Sequence, residues 1–285
     1  MSPIGAPRRR LALLLQILAL PVSAADLTTT AAVRFTTDYV FRGYSKSADH
    51  PAIQAHVGVS DARGVFGGIW LSQIDFGGAT LEFQPYLGYR RELTADLRLD
   101  VVAVGYLYDR PALGRRADYA ETALSLTWKE LVTLRASTAF NTYGSSVATG
   151  NLEWSGRYPL SDILEITGGM GFDGVVLVTD YDVIYWHAGA RYFLGQHLVV
   201  DLSYLDKAWT REDFHPKPGG RFDHIDSNGR VVLSVTSASD RGAPTSTIGT
   251  ISGDACGHEP CACRQRLTAI QWSGRQWFSA RHKKW

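Results

Sequence analysis

The sequence predicts an all-β fold, a transmembrane antiparallel up-and-down β-barrel of about 12 strands. Three observations predict it. Apolar and polar residues alternate one for one from near Val33 to near Thr236, a secretory leader precedes them, and long and short connections alternate along the chain. Period-two alternation gives each strand one apolar and one polar face, as a wall between lipid and an aqueous lumen requires.

The first segment places Val33, Phe35, Thr37, Tyr39 and Phe41 on one face and Arg34, Thr36, Asp38 and Arg42 on the other. In the second, Ile53, Ala55, Val57 and Val59 alternate with Gln54, His56, Gly58 and Ser60. Leu81, Phe83, Leu87 and Tyr89 oppose Glu82, Gln84, Tyr86, Gly88 and Arg90. Pro85 interrupts the apolar face and removes one ladder donor. Continued along the chain, the pattern predicts strands over 31–42, 52–60, 65–74, 80–91, 97–108, 118–128, 132–141, 151–159, 164–173, 182–193, 198–206 and 230–237. The number is even, and most strands approach the ~9–11 residues a tilted strand needs to cross a bilayer.

Composition permits this without demanding it. The 285 residues are 45% hydrophobic and 20% charged, and mean hydropathy is slightly negative. Transmembrane barrels hide in such averages because half of each strand faces a polar lumen. A net charge of +1 argues for no nucleic-acid partner. At the N-terminus, Arg8, Arg9 and Arg10 precede the apolar stretch Leu11 to Leu20 and a small-residue site at Val22, Ser23 and Ala24. This predicts a signal peptide over 1–24, with export through the periplasm. After it no apolar run reaches the roughly 20 residues of a transmembrane helix, so a membrane-spanning reading requires a closed barrel.

Connections after odd-numbered strands are long or irregular, at 43–51, 75–79, 109–117, 142–150, 174–181 and 207–229. Those after even-numbered strands are tight, at 61–64, 92–96, 129–131, 160–163 and 194–197. This matches long extracellular loops and short periplasmic turns, with 75–79 short for an outer loop. Aromatic residues near strand ends suggest interfacial girdles: Tyr39, Phe41 and Tyr44, then Tyr106 and Tyr108, Trp154 and Tyr158, and Tyr192 and Phe193.

The run Thr36-Thr37-Asp38-Tyr39-Val40-Phe41-Arg42-Gly43-Tyr44-Ser45, followed by Pro51, Ala52, Ile53 and Gln54, resembles the opening of the TorF-type porins. These are proteobacterial proteins otherwise grouped under a conserved domain of unknown function. Gly64 to Ser72, Tyr86 to Tyr89, and Tyr106 with Tyr108 continue the resemblance, which covers roughly residues 27–237. It implies an outer-membrane pore of unassigned solute. The expected partners are outer-membrane lipid, small hydrophilic solutes and the barrel assembly machinery.

Candidate pore-lining residues are the charges of the polar face: Arg34, Asp38, Arg42, Glu82, Arg90, Arg98, Asp100, Glu121, Arg135 and Arg191. Arg157, Glu153, Glu165, Asp173 and Asp201 share that face, so acids and bases nearly balance. Such charges form either a selective ladder or salt bridges that plug the interior, and a barrel of about 12 strands lies between filled and open sizes. Asp38 and Arg42, four apart on one strand, would share a face as an interior ion pair or a constriction pair.

Chemistry finds no foothold. Gly169, Gly171 and Gly174 have dinucleotide-fingerprint spacing, but Val175 to Val178 opens no helix. There is no G-x-S-x-G elbow, and His56 and His187 lack an evident serine partner. No cofactor or enzymatic activity is expected. Cys256, Cys261, Cys263 and His258 follow no standard zinc spacing.

The barrel domain is assigned to 25–239. Outer-membrane barrels typically end on an aromatic residue, yet Ser239 stands at the corresponding place. Residues 240–285 are expected to be an atypical, disordered tail or a basic periplasmic appendage. Three functions are compatible: a passive or weakly selective channel, a non-conducting structural or receptor barrel that uses the loop 207–229, and a soluble ligand-binding barrel with apolar inward faces. If the tail is aberrant, a chain ending at Ser237 plus one phenylalanine should assemble at least as well as the full chain. Poorer heat-modifiable folding of the shortened chain would show that the tail contributes.

Overall fold

A strand that crosses a bilayer must pass its hydrogen bonds to neighbours on both sides, and a closed cylinder satisfies every strand. The chain does this with twelve antiparallel strands. A computed structural model describes residues 27–112, 114–175, 182–209 and 229–241. The barrel strands are β1 (Leu27–Thr36), β4 (Ala52–Asp61), β5 (Val65–Phe76), β6 (Ala79–Glu92), β7 (Leu97–Tyr108) and β8 (Tyr119–Trp128). They continue with β9 (Val132–Ala139), β10 (Thr149–Pro159), β11 (Leu164–Gly174), β12 (Val183–Leu194), β13 (Leu198–Trp209) and β14 (Arg230–Arg241). Each pairs with its sequence neighbour, and β1 closes the cylinder on β14 from Thr29 opposite Arg241 to Thr36 opposite Ser234. Two short strands, β2 (Val40–Phe41) and β3 (Tyr44–Ser45), form a separate hairpin.

The polarity of the wall is the reverse of a soluble barrel. Outward-facing Val57 and Leu87 are 54% and 59% exposed, whereas inward-facing Glu82 is 0% exposed. Val33, Phe35, Ile53, Leu124 and Leu152 join the outer apolar surface, and Arg34, Gln54, His56, Glu121 and Glu153 turn inward. A soluble ligand-binding barrel would place its apolar face inside, so that reading is overturned. The wall is a transmembrane one.

Loop lengths follow the expected asymmetry. One end carries the turns after β4, β6, β8, β10 and β12, and the other carries the longer connections. The Gly77–Gly78 turn between β5 and β6 is the short member of the long-loop end, with φ +58° and +100°. At the turn end, exposed Tyr89, Trp128, Tyr158 and Tyr192 stand near the ends of β6, β8, β10 and β12, as an interfacial girdle does. Tyr39, Phe41 and Tyr106, expected in girdles, are instead buried inside, as is Phe193.

The largest departure from the sequence reading is in the first strand. Expected over 31–42, it spans Leu27–Thr36 and then leaves the wall. Thr37 still holds to Leu233 on β14, its N–H donating to the Leu233 carbonyl at 2.9 Å and its hydroxyl oxygen accepting the Leu233 N–H at 3.1 Å. Beyond it the chain folds into the cylinder. Both faces of this segment find buried partners, so the alternation of residues 38–42 does not face lipid. At the other end, β14 extends to Arg241, beyond the expected 230–237. The tail from 242, with its cysteines, and most of the loop 207–229 lie outside the described residues.

A charge on the outer face should cost most near the middle of the wall. Leu124→Arg, midway along β8, is expected to lose about 2–4 kcal/mol of unfolding free energy in lipid vesicles. Phe140→Arg, just past β9 at the long-loop end, should lose at most about 1 kcal/mol. Urea titration of both variants measures the difference.

Candidate functional site: an occupied polar lumen

Residues 37–50 enter the lumen and reach nearly every side of it. The hairpin turns at Arg42 and Gly43, between Phe41 opposite Tyr44 and Val40 opposite Ser45. Both turn residues have positive φ, +50° for Arg42 and +81° for Gly43. Gly43 is required by space as well: a Cβ there would lie 3.0 Å from Lys207 Cβ and 3.1 Å from Tyr185 Cβ. The tip therefore sits against β12 and β13, across the lumen from β7.

Arg42 has no glycine freedom, and a left-handed non-glycine residue costs on the order of 1–3 kcal/mol. Its guanidinium offsets that cost with partners on three strands. It pairs with Glu121 of β8 at 2.7 Å and with Asp173 of β11 at 3.2 Å, and donates to Ser137 of β9 at 3.1 Å. Arg135 shares Glu121 from the other side at 3.0 Å. Asn151 donates to Asp173 at 3.2 Å, and Tyr185 donates to Glu153 at 2.7 Å. Asp38 and Arg42 do not pair with each other, because β1 ends at Thr36 and Arg42 lies in the hairpin turn, so the two share no strand face. Asp38 accepts hydrogen bonds from Ser45 at 2.6 Å and Ser47 at 2.9 Å and pairs with Arg230 of β14. Arg230 also pairs with Asp49, near the end of the inserted segment.

The opposite flank is aromatic. Phe41 packs edge-on against Tyr106 at 5.7 Å, Tyr106 stacks on Tyr119 at 4.6 Å, and Tyr143 meets Tyr119 at 5.1 Å and Phe76 at 5.4 Å. Lys46, 1% exposed, is held here and pairs with Glu82. Glu82 also accepts from the Tyr39 hydroxyl at 3.1 Å and from Gln84 Nε2 at 2.5 Å. Towards the turn end, His56 shares a 2.8 Å hydrogen bond with Tyr86 and packs on Trp70, ring centroids 4.6 Å apart.

Below the inserted segment a second layer of charge follows the wall. Asp100 pairs with Arg90 at 2.6 Å and Arg98 at 3.1 Å, and Arg98 also pairs with Glu130. Glu130 continues to Arg157 at 3.9 Å, Arg157 to Glu165 at 3.8 Å, Glu165 to Arg191 at 3.1 Å, and Arg191 to Asp201 at 3.2 Å. Acid and base alternate without a break from β6 to β13. The pairs repeat cross-strand registers: Arg90 is opposite Asp100, Glu165 opposite Arg191, and Arg191 opposite Asp201. Arg34 stands beyond this arc and donates to Ser234 at 2.9 Å.

All ten residues singled out by the sequence thus turn inward, eight on the wall and two, Asp38 and Arg42, on the inserted segment. Sequence reasoning missed Lys46, Glu130 and Arg230, which it assigned to connections or left unremarked. The available signal was Phe41-Arg42-Gly43-Tyr44, a two-residue turn between aromatic residues and so a short hairpin. Gly171 is explained by packing alone, since a Cβ there would fall 2.2 Å from the Tyr185 ring.

Two carboxylates of the β7–β8 connection brace the long-loop rim. Burial pulls the Asp109 carboxyl up, but hydrogen bonds from the Thr80 and Leu81 N–H groups, the Thr80 hydroxyl and Arg110 outweigh it and hold it well below the usual carboxylate range. Burial likewise raises Asp118, and Arg116 with the Tyr108 N–H outweighs it, leaving Asp118 lowered.

Several solved barrels are similar to this chain. The KdgM porin, solved in complex with disordered oligogalacturonate, is 6% identical over 74% of this chain and 98% of its own, with a TM-score of 0.47. The NanC porin is 9% identical over 75% and 99%, with a TM-score of 0.42. The outer-membrane channel DcaP of Acinetobacter baumannii is 10% identical over 76% and 99%, with a TM-score of 0.37. No curated protein matches the chain. The model of a bacterial protein family of unknown function, Gcw_chp, matches residues 21–236, and the chain belongs to that family.

Proposed function

We propose that this protein is an outer-membrane, porin-type channel for small hydrophilic solutes, closed in the state described by residues 37–50. The observation that carries the reading is the polarity of the cylinder, apolar outside and charged inside. A purely structural barrel gains little from charges lining its interior, because an ion pair buried in a filled core is often no better than an apolar packing of the same volume. The resemblance to TorF-type porins points the same way. In this reading the chain is exported through the periplasm and inserted by the barrel assembly machinery, with its short turns periplasmic and its long loops outside.

The alternating charge layer from Arg90 to Asp201 sets the selectivity. Four arginines, Arg90, Arg98, Arg157 and Arg191, face four acids, Asp100, Glu130, Glu165 and Asp201, so its net charge is zero. A layer of this kind admits either sign weakly and has no catalytic step to perform. The second reading, a non-conducting structural or receptor barrel, is favoured by the number of strands that anchor the inserted segment.

Planar-bilayer recordings separate the two. The wild-type chain should show low, mostly closed conductance, and replacement of residues 38–47 by an equally long Gly–Ser segment should give larger discrete steps. A folded, heat-modifiable variant that never conducts would establish the structural reading. In the same open variant, Glu165→Gln leaves the charge layer one positive charge in excess. The reversal potential in a potassium chloride gradient should then move toward that of chloride, and an unchanged potential would show that the layer does not govern selectivity.

A further inference from the structure

Lys46 is held in a setting more elaborate than an anchor requires. Its Nζ lies 4.4 Å from the Phe41 ring centroid, 5.1 Å from Tyr106, 5.7 Å from Tyr108, and 6.0 Å from both Tyr39 and Phe76. It pairs with Glu82 and lies 3.4 Å from the Tyr108 hydroxyl. A cation enclosed by aromatic faces and matched to one carboxylate is the arrangement by which proteins recognise organic ammonium ions. A plain anchor would be served as well by apolar packing.

The cage has two owners. Phe76, Glu82, Tyr106 and Tyr108 belong to β5, β6 and β7, which pair with one another as wall strands; the inserted segment adds one backbone bond to them, from the Asp75 N–H of β5 to the Lys46 carbonyl at 2.8 Å. Tyr39, Phe41 and Lys46 arrive on the segment itself, whose own regular structure is two two-residue strands. The wall half therefore keeps its carboxylate and three rings when Lys46 leaves. The carboxylate is also oriented from the wall, since Gln84 donates to its other oxygen at 2.5 Å. The site is close to the long-loop end, as Glu82 follows the Gly77–Gly78 turn closely and pairs in register with Tyr108 at the end of β7.

We propose that Phe76, Glu82, Tyr106 and Tyr108 form a binding site for primary alkylammonium ions, which Lys46 occupies as a tethered ligand in the closed state. An amine reaching the site from the long-loop side competes with the Lys46 ammonium and releases the segment it holds. The binding step stands independently of conduction. The further consequence, that organic amines open or cross the barrel, rests on the channel reading.

The Lys46 side chain is n-butylammonium attached to a backbone, so n-butylammonium chloride is the matched probe. In the full chain folded in detergent, Lys46→Ala should show a thermal-unfolding midpoint that rises and saturates with n-butylammonium. n-Butanol and sodium butyrate at equal concentration should leave it unmoved, and adding Glu82→Gln to Lys46→Ala should abolish the rise. An equal shift with butanol, or a rise that survives Glu82→Gln, overturns the site. Should Lys46→Ala fail to fold, the wild-type chain provides the second measurement. Trypsin cleavage after Arg42 and Lys46, followed by mass spectrometry, should accelerate severalfold with n-butylammonium over sodium chloride at equal ionic strength, and no acceleration overturns the proposal. Stabilisation without current in any variant would leave the site standing and remove the channel, whereas current without any response to n-butylammonium would do the reverse.

Discussion

The interior of this barrel is organised around one guanidinium. Arg42 sits at the tip of a short hairpin, in a backbone conformation that disfavours a side chain, and joins β8, β9 and β11 from within. A charge removed from water needs partners or it costs several kcal/mol, and Glu121, Asp173 and Ser137 supply them. Once those strands hold Arg42, the rest of the segment has little choice of path. Phe41 meets the aromatic flank, Tyr44 comes under the Lys207 ammonium at 4.4 Å, and Lys46 reaches Glu82.

The two sides of the lumen answer different demands. Strands β5 to β8 present Phe76, Tyr106 and Tyr119, which exclude water from the flank where Lys46 is buried. Strands β10 to β13 present Glu153, Asp173, Arg191 and Asp201, each with a hydrogen-bonded or charged partner. In such a setting one deletion leaves the opposite charge uncompensated, so the network is more sensitive to losing a single member than to replacing a pair.

The barrel was legible in the sequence because its physics is local. A lipid face and a lumen face differ at every second residue, so the edges of β7 were read to the residue and those of most other strands to within two. Inward direction was legible for the same reason, as for Glu82 and Arg191. The occupied lumen was not. Residues 38–42 alternate like a strand because Tyr39 and Phe41 pack on an aromatic flank while Asp38 and Arg42 find ions. The pattern is identical whether the apolar partner is lipid or tyrosine. Only the register of distant strands, which brings Glu82, Glu121 and Asp173 around one hairpin, distinguishes the two cases.

The last strand holds a consequence for assembly. Asp38 and Asp49 flank the inserted segment near the beginning of the barrel, and the base that clamps both is Arg230, at the start of β14. The seam between β1 and β14 is also the one that turns the sheet into a cylinder. Fastening the inner segment and sealing the wall therefore draw on the same strand. The first part of the barrel in chain order is thus held from within by the last strand to join it.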